Sequence, residues 1–335
     1  MIDWVTAVLP CSHDPEKLRA GLVACLDASG VVQWTVEKAL QVEGSYSATI
    51  QIKSHTDHTI WISGNPAKFL QGHNIFGTDD IVYLVDRFFN ELIKNHDLGL
   101  CPTDVDFQKI REGRYFFKRV DINHSWLLPD RAAVLAWIRA AGSSARLKRR
   151  GAGQYAGDTL YFGKNSRRWA VKCYSKGHEI SAKGHGLHKD LHIPELLEHA
   201  DKCLRIELVL RSMMLKETHL DHAWSWTKDT AKELLCSLVL DDLEISDNMP
   251  APDDVLNTLP PRLRLVYQSW KAGDDLRLIL SKSAFYRWRK ALLEHGIDIA
   301  IPQQANRNNI IPLIRYLEAQ PASIPQWAYD KGLVA

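Results

Sequence analysis

Lys172-Cys173-Tyr174-Ser175-Lys176 sets a phenol between two ammonium groups, because residues i, i+2 and i+4 of an extended segment point to one face. A phenol so flanked is equipped to attack a phosphodiester. Lys172 and Lys176 would hold the phosphate, favour phenolate over phenol and stabilise charge on the transferred group. A solvated strand face has the same pattern, so the pentapeptide needs support from elsewhere in the chain. Two further alternations provide it. Within residues 117–123, Arg119, Asp121 and Asn123 alternate with Val120 and Ile122; within 204–208, Arg205 and Glu207 alternate with Leu204, Ile206 and Leu208. Oxygen donors such as Asp121, Glu207, Asn123 and Glu179 suit Mg²⁺ or Mn²⁺, which take few protein ligands and leave room for substrate phosphate. A metal there would polarise the phosphodiester as a Lewis acid. Cross-strand salt bridges among Arg119, Arg205, Asp121 and Glu207 are the structural alternative. His178 and Glu179, just past Tyr174, are candidates for a base or a metal ligand.

The elements that must position these groups are legible from apolar spacing. Residues 3–9, 46–53 and 59–62 read as strands, 16–26 as an amphipathic helix, and 78–95 as a helix capped by Thr78 or Asp79. Residues 115–123 read as a strand and 129–140 as a helix. Residues 159–162 and 169–174 read as a strand pair joined by Gly163-Lys164-Asn165-Ser166, and 204–210 as another strand. Hairpins mixed with helices predict an α+β domain around a central antiparallel sheet over residues 1–243. Residues 244–262, rich in proline and acids, read as a linker. A small helical domain over 263–335 follows, for DNA or partner binding. Its segment 281–295, with a serine cap and a basic-aromatic face, resembles one helix of a helix-turn-helix.

Composition narrows the class. The chain has 335 residues, 45% of them hydrophobic, and no apolar stretch that approaches a membrane span. Its start lacks a basic secretory region, so a cytoplasmic protein with no membrane partner is expected. The six cysteines form no C-x-x-C pair and read as reduced thiols. The net charge of +2 conceals an asymmetry: residues 111–183 hold 16 Lys/Arg against 5 Asp/Glu. That is the footprint of a polyanion site. Within it, Arg119, Arg146, Lys148, Arg149, Arg150, Lys164, Arg167 and Arg168 are candidate DNA contacts, with Arg146–Arg150 read as a basic loop tracking the backbone. Interleaved rings such as Tyr155, Tyr161 and Trp169 are candidates for base stacking or core.

The stretch Asn65-Pro66-Ala67-Lys68-Phe69-Leu70-Gln71-Gly72-His73-Asn74-Ile75-Phe76-Gly77-Thr78 closely resembles the signature of the filamentous-phage replication initiators, the gene II and gene X protein family. Arg119-Val120-Asp121, Tyr174 to Glu179 and Leu204-Arg205-Ile206-Glu207 resemble that family's later motifs in the same order. Further matches run through Phe285-Tyr286-Arg287, Gly296-Ile297 and residues 308–315. The resemblance implies a site- and strand-specific nicking and joining enzyme that starts and ends rolling-circle replication, on a fold related to the HUH endonucleases. It implies Tyr174 as nucleophile, a covalent 5′-phosphotyrosine, and phage origin DNA, single-stranded and supercoiled duplex, as partner. A host helicase and polymerase and a location in the bacterial cytoplasm follow from the same likeness. Lys68, Gln71, His73 and Asn74 of the signature are candidate DNA contacts, His73 equally a residue that shapes the loop. Where relatives of the fold carry His-hydrophobic-His, this chain has Asp121-Ile122-Asn123. The rival function is a non-catalytic origin-binding or regulatory protein that uses the same basic surface.

Overall fold

The computed structural model describes residues 1–245, 259–293, 297, 299–300, 317 and 321–334. In chain order the strands are β1 (Ile2–Pro10), β2 (Leu22–Leu26), β3 (Val32–Glu37), β4 (Leu40–Glu43), β5 (Thr49–Thr56), β6 (Thr59–Gly64) and β7 (Phe116–Leu127). They continue as β8 (Ala145–Leu147), β9 (Gly151–Ala152), β10 (Gln154–Ala156), β11 (Thr159–Phe162), β12 (Trp169–Ser175), β13 (Cys203–Arg211) and β14 (Leu243–Ile245). One nine-stranded sheet has the order β10-β11-β12-β13-β7-β1-β6-β5-β4, with every neighbour antiparallel. The protein is therefore α+β with a central antiparallel sheet, as the alternation of hairpins and helices predicts.

The central strands β13 and β7 are buried on both faces. On one, Val120, Ile122, Leu204, Ile206, Leu208, Val171 and Cys173 belong to the main core with Val134, Trp137, Ile138 and Ala141 of the helix Arg131–Ser144. On the other, Asp121, Asn123, Arg205 and Glu207 are buried although polar. Buried polar side chains on one strand face must find partners within the fold, so this face is where the site is sought. The helix Ile81–Leu92 packs Leu84, Val85, Phe88 and Phe89 inward, and Asp80, not Thr78 or Asp79, caps it by accepting from Tyr83 N at 3.0 Å.

Three local expectations are corrected. The segment 16–26 is not a helix: Asp14 caps a single turn at Pro15–Leu18, Gly21 turns the chain at φ +93°, and Leu22–Leu26 becomes a strand. Its apolar residues match both periods over so short a run, and pairing with β3 decides for the strand. The strand expected from residue 46 starts at Thr49, because Tyr46 and Ser47 adopt positive φ. The basic stretch at Arg146–Arg150 is no open loop. It is a tight hairpin, β8 to β9, on which β14 also pairs.

A second hydrophobic cluster joins Leu263, Tyr267, Trp270, Leu276, Phe285 and Leu292 of the C-terminal helices, apart from the main core. The helix Lys282–Leu293 lies within residues 281–295 and starts where Ser281 Oγ accepts from Ala284 N at 3.3 Å. Most of the linker, residues 246–258, together with Gly296 and 308–315, lies outside the described residues. The segment 321–334 returns to the sheet domain, where Ala328 and Leu333 pack with Phe76, Ile180 and Leu196. Among the described residues no helix is long and apolar enough to cross a membrane, and Cys11, Cys25, Cys101, Cys173, Cys203 and Cys236 are free thiols.

Candidate active site

Register builds the site. Glu207 of β13 lies opposite Lys172 of β12 on one side and Asn123 of β7 on the other, and Arg205 lies opposite Tyr174 and Ser125. Directly opposed residues project to the same face, so Lys172, Glu207, Asn123, Tyr174 and Arg205 form a patch two residues deep. Tyr174 Oη donates to Glu207 Oε2 at 3.2 Å, while Glu207 Oε1 takes the Lys172 ammonium. Asp121 receives a two-pronged guanidinium contact from Arg119, at 2.7 and 2.5 Å, with the Lys172 ammonium 3.8 Å away.

Electrostatics corrects the role first read for the lysines. Burial pushes the Tyr174 hydroxyl well above its ordinary pKa, and the charge of Glu207 pushes the same way. Lys172 therefore does not make a resting phenolate; it neutralises Glu207, whose partnership keeps Lys172 protonated despite burial. Glu207 itself is raised to about 8, chiefly by burial and also by the charges of Asp3 and Asp121, against the lowering effect of Lys172. The Lys172 ammonium favours the carboxylate form, and in that form Glu207, bonded to the phenol, can accept a proton. Lys176 is not on the strand. It opens the helix Lys176–Ser181, is fully buried, and donates to Asn74 Oδ1 at 2.7 Å and to Glu179. The Lys176 ammonium is thus engaged by Asn74 and Glu179, Glu179 Oε2 by Lys176, and His178 turns to Asp158, 3.0 Å away.

The signature segment supplies the roof. Asn65 caps the helix α1 (Pro66–Gln71) by accepting from Lys68 N at 2.7 Å, Pro66 takes the first turn, and Gly72 ends it at φ +79°. A Cβ at Gly72 would come within 2.4 Å of the Tyr46 ring, so both conformation and space require glycine. The chain then passes under the site. Arg205 donates to the carbonyls of Asn74 at 2.6 Å and Ile75 at 3.0 Å, and Gln71 Nε2 donates to those of His73 and Phe76 at 3.1 and 2.9 Å. Gln71 and His73 are buried, and Asn74 is tied to Lys176 and Asp3. Gln71 and Asn74, expected as DNA contacts, hold the loop and its neighbours, and His73, whose Nδ1 accepts from Ile75 N at 3.3 Å, fits the loop-shaping alternative. Burial, with help from Lys176, lowers His73 to about 4, so it is neutral at pH 7. Lys68 is half-buried on α1.

Asp3 is the residue that sequence reasoning missed. A bulge in β1 between Ile2 and Trp4 releases it from the ladder with β7. It accepts from Asn65 Nδ2 at 3.0 Å and Asn74 Nδ2 at 2.8 Å, joining both ends of the signature to the carboxylate group. Only an acid between Ile2 and Trp4 hinted at it, and period-two reading assigns no role to a bulge.

The oxygen donors fit a hard divalent cation by chemistry. Asp121, Glu207 and Asn123 share the face, and the buried Asn123 amide has no hydrogen-bond partner at either Oδ1 or Nδ2. Among the described residues, no three His, Cys, Asp or Glu side chains make a ready metal cage. The paired histidines at 55 and 58 and at 188 and 192 likewise form none.

Further along β12 the cations gather. Arg150 stacks on Trp169 at 3.9 Å, Arg211 donates to the carbonyls of Ser166 and Lys164, and Arg168 pairs with Glu217. Arg168 and Arg211 repel Arg150 enough to add to the lowering of its pKa by burial. Arg146, Lys148, Arg149, Lys164, Arg167 and Arg168 are exposed nearby. Arg211 was not singled out from sequence. Tyr115, Phe117, Trp126, Trp137 and Trp169 are core; Tyr155 is exposed at the edge, with its hydroxyl on the Ile138 carbonyl at 2.9 Å.

Comparison with known proteins gives a consistent family. Residues 1–229 match the N-terminal family model of the phage replication-associated protein of gene II, and residues 257–334 match the C-terminal family model of the same protein. The replication-associated gene II protein of Enterobacteria phage I2-2 is 38% identical over 98% of this chain and 96% of that protein. Those of Enterobacteria phages M13 and fd are each 24% identical over 79% of this chain and 76% of theirs. No solved structure matches.

Proposed function

The chain belongs to the family of phage replication-associated gene II proteins, and from that premise we propose that it nicks and rejoins one DNA strand at a phage origin through Tyr174. The observation that carries the proposal is the Tyr174–Glu207 bond at 3.2 Å, on a sheet face that also holds Lys172, Arg119 and Asp121. Tyr174 is 9% exposed, and the more open side chains of Lys172 (24%) and Arg119 (37%) mark the side from which a strand reaches it.

In the forward step Glu207 accepts the phenolic proton as Tyr174 Oη attacks the phosphorus. The Oη–P bond forms, the P–O3′ bond breaks, and the leaving 3′ oxygen takes a proton from water to become a hydroxyl. The 5′ phosphate stays on Tyr174. In the reverse step a 3′ hydroxyl gives its proton to water and attacks the phosphorus of that phosphotyrosine, the P–Oη bond breaks, and Glu207 returns its proton to the phenolic oxygen. Lys172 and Arg119 stabilise charge on the equatorial oxygens once substrate draws them from their carboxylates. Asp121, Asn123 and Glu207 would hold Mg²⁺ or Mn²⁺, which supplies Lewis-acid polarisation of the phosphodiester. The cluster of Arg150, Arg168 and Arg211 tracks the flanking backbone. The freed 3′ hydroxyl is a primer for a host polymerase, and the displaced strand calls for a host helicase, so the protein acts in the bacterial cytoplasm. The helices between Pro261 and Leu293 serve DNA or partner binding.

The test is incubation with a single-stranded origin oligonucleotide and Mn²⁺, followed by denaturing electrophoresis. Wild type is expected to give a denaturant-resistant adduct, and Tyr174→Phe none while still binding DNA. No adduct from wild type would overturn the proposal in favour of a non-catalytic origin-binding protein, and an equal adduct from Tyr174→Phe would overturn it by removing Tyr174 as the nucleophile.

A further inference from the structure

We propose that Trp224 and Phe116, with Arg114, form a stacking subsite for an unpaired nucleobase of the strand whose phosphodiester reaches Tyr174; the subsite rests on the reading of that sheet face as the DNA site. The face continues along β7. On β1, Trp4, Thr6 and Val8 lie opposite the core residues Val5, Ala7 and Leu9, and the register sets Asp121 against Trp4, Arg119 against Thr6 and Phe116 against Val8. A bulge at Lys118 keeps Phe116 on that face while Phe117 turns to the core. At the rise of a strand, Phe116 lies about 15 Å from Asp121, the span of a few nucleotides.

The rings are held there by backbone. Phe117 N donates to the Asp221 carbonyl at 2.8 Å, Ala223 N to that of Tyr115 at 3.1 Å, and Trp224 N to that of Gly113 at 3.1 Å. Gly113 has φ +71°, and a Cβ on it would come within 2.7 Å of Trp224 N, so glycine lets the two segments lie in contact. The His222 ring then sits between its neighbours, 4.4 Å from Phe116 and 4.0 Å from Trp224, with its plane 31° from the indole. Trp226, by contrast, packs in the core with its indole N–H on the Leu220 carbonyl. Trp224 is 55% exposed and Phe116 46%. Trp224 borders an open recess of about 480 Å³ with Arg114 and Glu112, which are paired at 2.8 Å. Charge selects the occupant. Residues 109–119 hold five Lys/Arg against one acid, with Arg111, Arg114 and Lys118 exposed. Flat rings among cations suit a base with its phosphates, and stacking accepts any base.

The experiment is fluorescence anisotropy of the full chain in EDTA with two labelled strands of about 20 nucleotides, one of thymidines and one abasic throughout, which carry the same phosphates. Wild type is expected to prefer the thymidine strand. Trp224→Ala should weaken that strand about 5- to 150-fold, the worth of one stacked base, and the abasic strand by less than about twofold. Trp224→Phe keeps a ring and should stay within about threefold of wild type on both. Phe116→Ala should act as Trp224→Ala does, and it decides the matter if Trp224→Ala fails to fold. Equal binding of the two strands by wild type, or a folded alanine variant that weakens both strands alike or neither, would overturn the subsite. No strand is cut in EDTA, so this result and the covalent adduct of the nicking test stand or fall separately.

Discussion

Arg205 and Asn74, 131 residues apart in the chain, meet where the guanidinium Nη1 donates to the Asn74 carbonyl at 2.6 Å, while Nη2 reaches the Ile75 carbonyl at 3.0 Å. The planar fork satisfies two buried backbone acceptors at once and fixes the signature loop on the sheet. Lysine is a point donor and cannot span both. Arg205→Lys is expected to cost on the order of 2–4 kcal/mol, since a buried carbonyl is left without its donor. Urea unfolding followed by tryptophan fluorescence measures this; an unchanged midpoint would show that the fork is dispensable.

Removing the proton acceptor should slow the chemistry and leave binding intact. Glu207→Gln keeps the shape and a hydrogen bond to Tyr174 but cannot take its proton, and a general base contributes about 10²–10⁴-fold. Single-turnover adduct formation should fall by that range while oligonucleotide affinity stays within about threefold. Equal rates for the two proteins would remove Glu207 from the proton path.

Arg150 should act on affinity alone. Its guanidinium lies over Trp169, on the strand that carries Tyr174, beside Arg168 and Arg211. Arg150→Gln is expected to weaken single-stranded DNA binding uniformly across sequences. The slope of log K against log salt should shrink by about 0.7, the release of one counterion. Fluorescence anisotropy across a salt series reads both quantities, and an unaltered slope would place DNA elsewhere.

Stability should decline in mild acid. Burial lowers His73 and His199 to about 4 from an ordinary value of 6.5, so between those pH values the unfolded chain binds protons that the folded chain refuses. Their contribution is fully present above pH 6.5 and is lost as pH falls towards 4. His199 lies against Phe76 and Trp327, with ring centroids 5.0 and 6.1 Å away. His199→Leu should therefore flatten the fall in melting temperature between pH 7 and pH 4. A fall as steep as that of wild type would mean that His199 is protonated in the folded state.

Part of the site was readable because strand periodicity is local. Arg119, Asp121, Asn123, Arg205 and Glu207 alternate with apolar residues, and that alternation holds in the sheet. Tyr174 and Lys172 share their face for the same reason. The hairpin β2–β3 was unreadable, since Leu18, Leu22 and Leu26 satisfy helical spacing until pairing with 32–37 overrides it. Gln71 and His73 look like polar contacts on paper and are buried struts in the fold.

By itself the sequence determined the antiparallel α+β plan, the basic segment around Tyr174 and the family. These follow from spacing and residue type, which act over a few neighbours. Only the tertiary structure decided which charge meets which. It gave Lys172 to Glu207 rather than to a phenolate, buried Lys176 against Asn74 and Glu179, and drew Asp3 out of its ladder towards Asn65 and Asn74. The cause is physical: a buried charge takes the nearest opposite charge or polar group in three dimensions, and such partners lie as far as 131 residues apart in the chain.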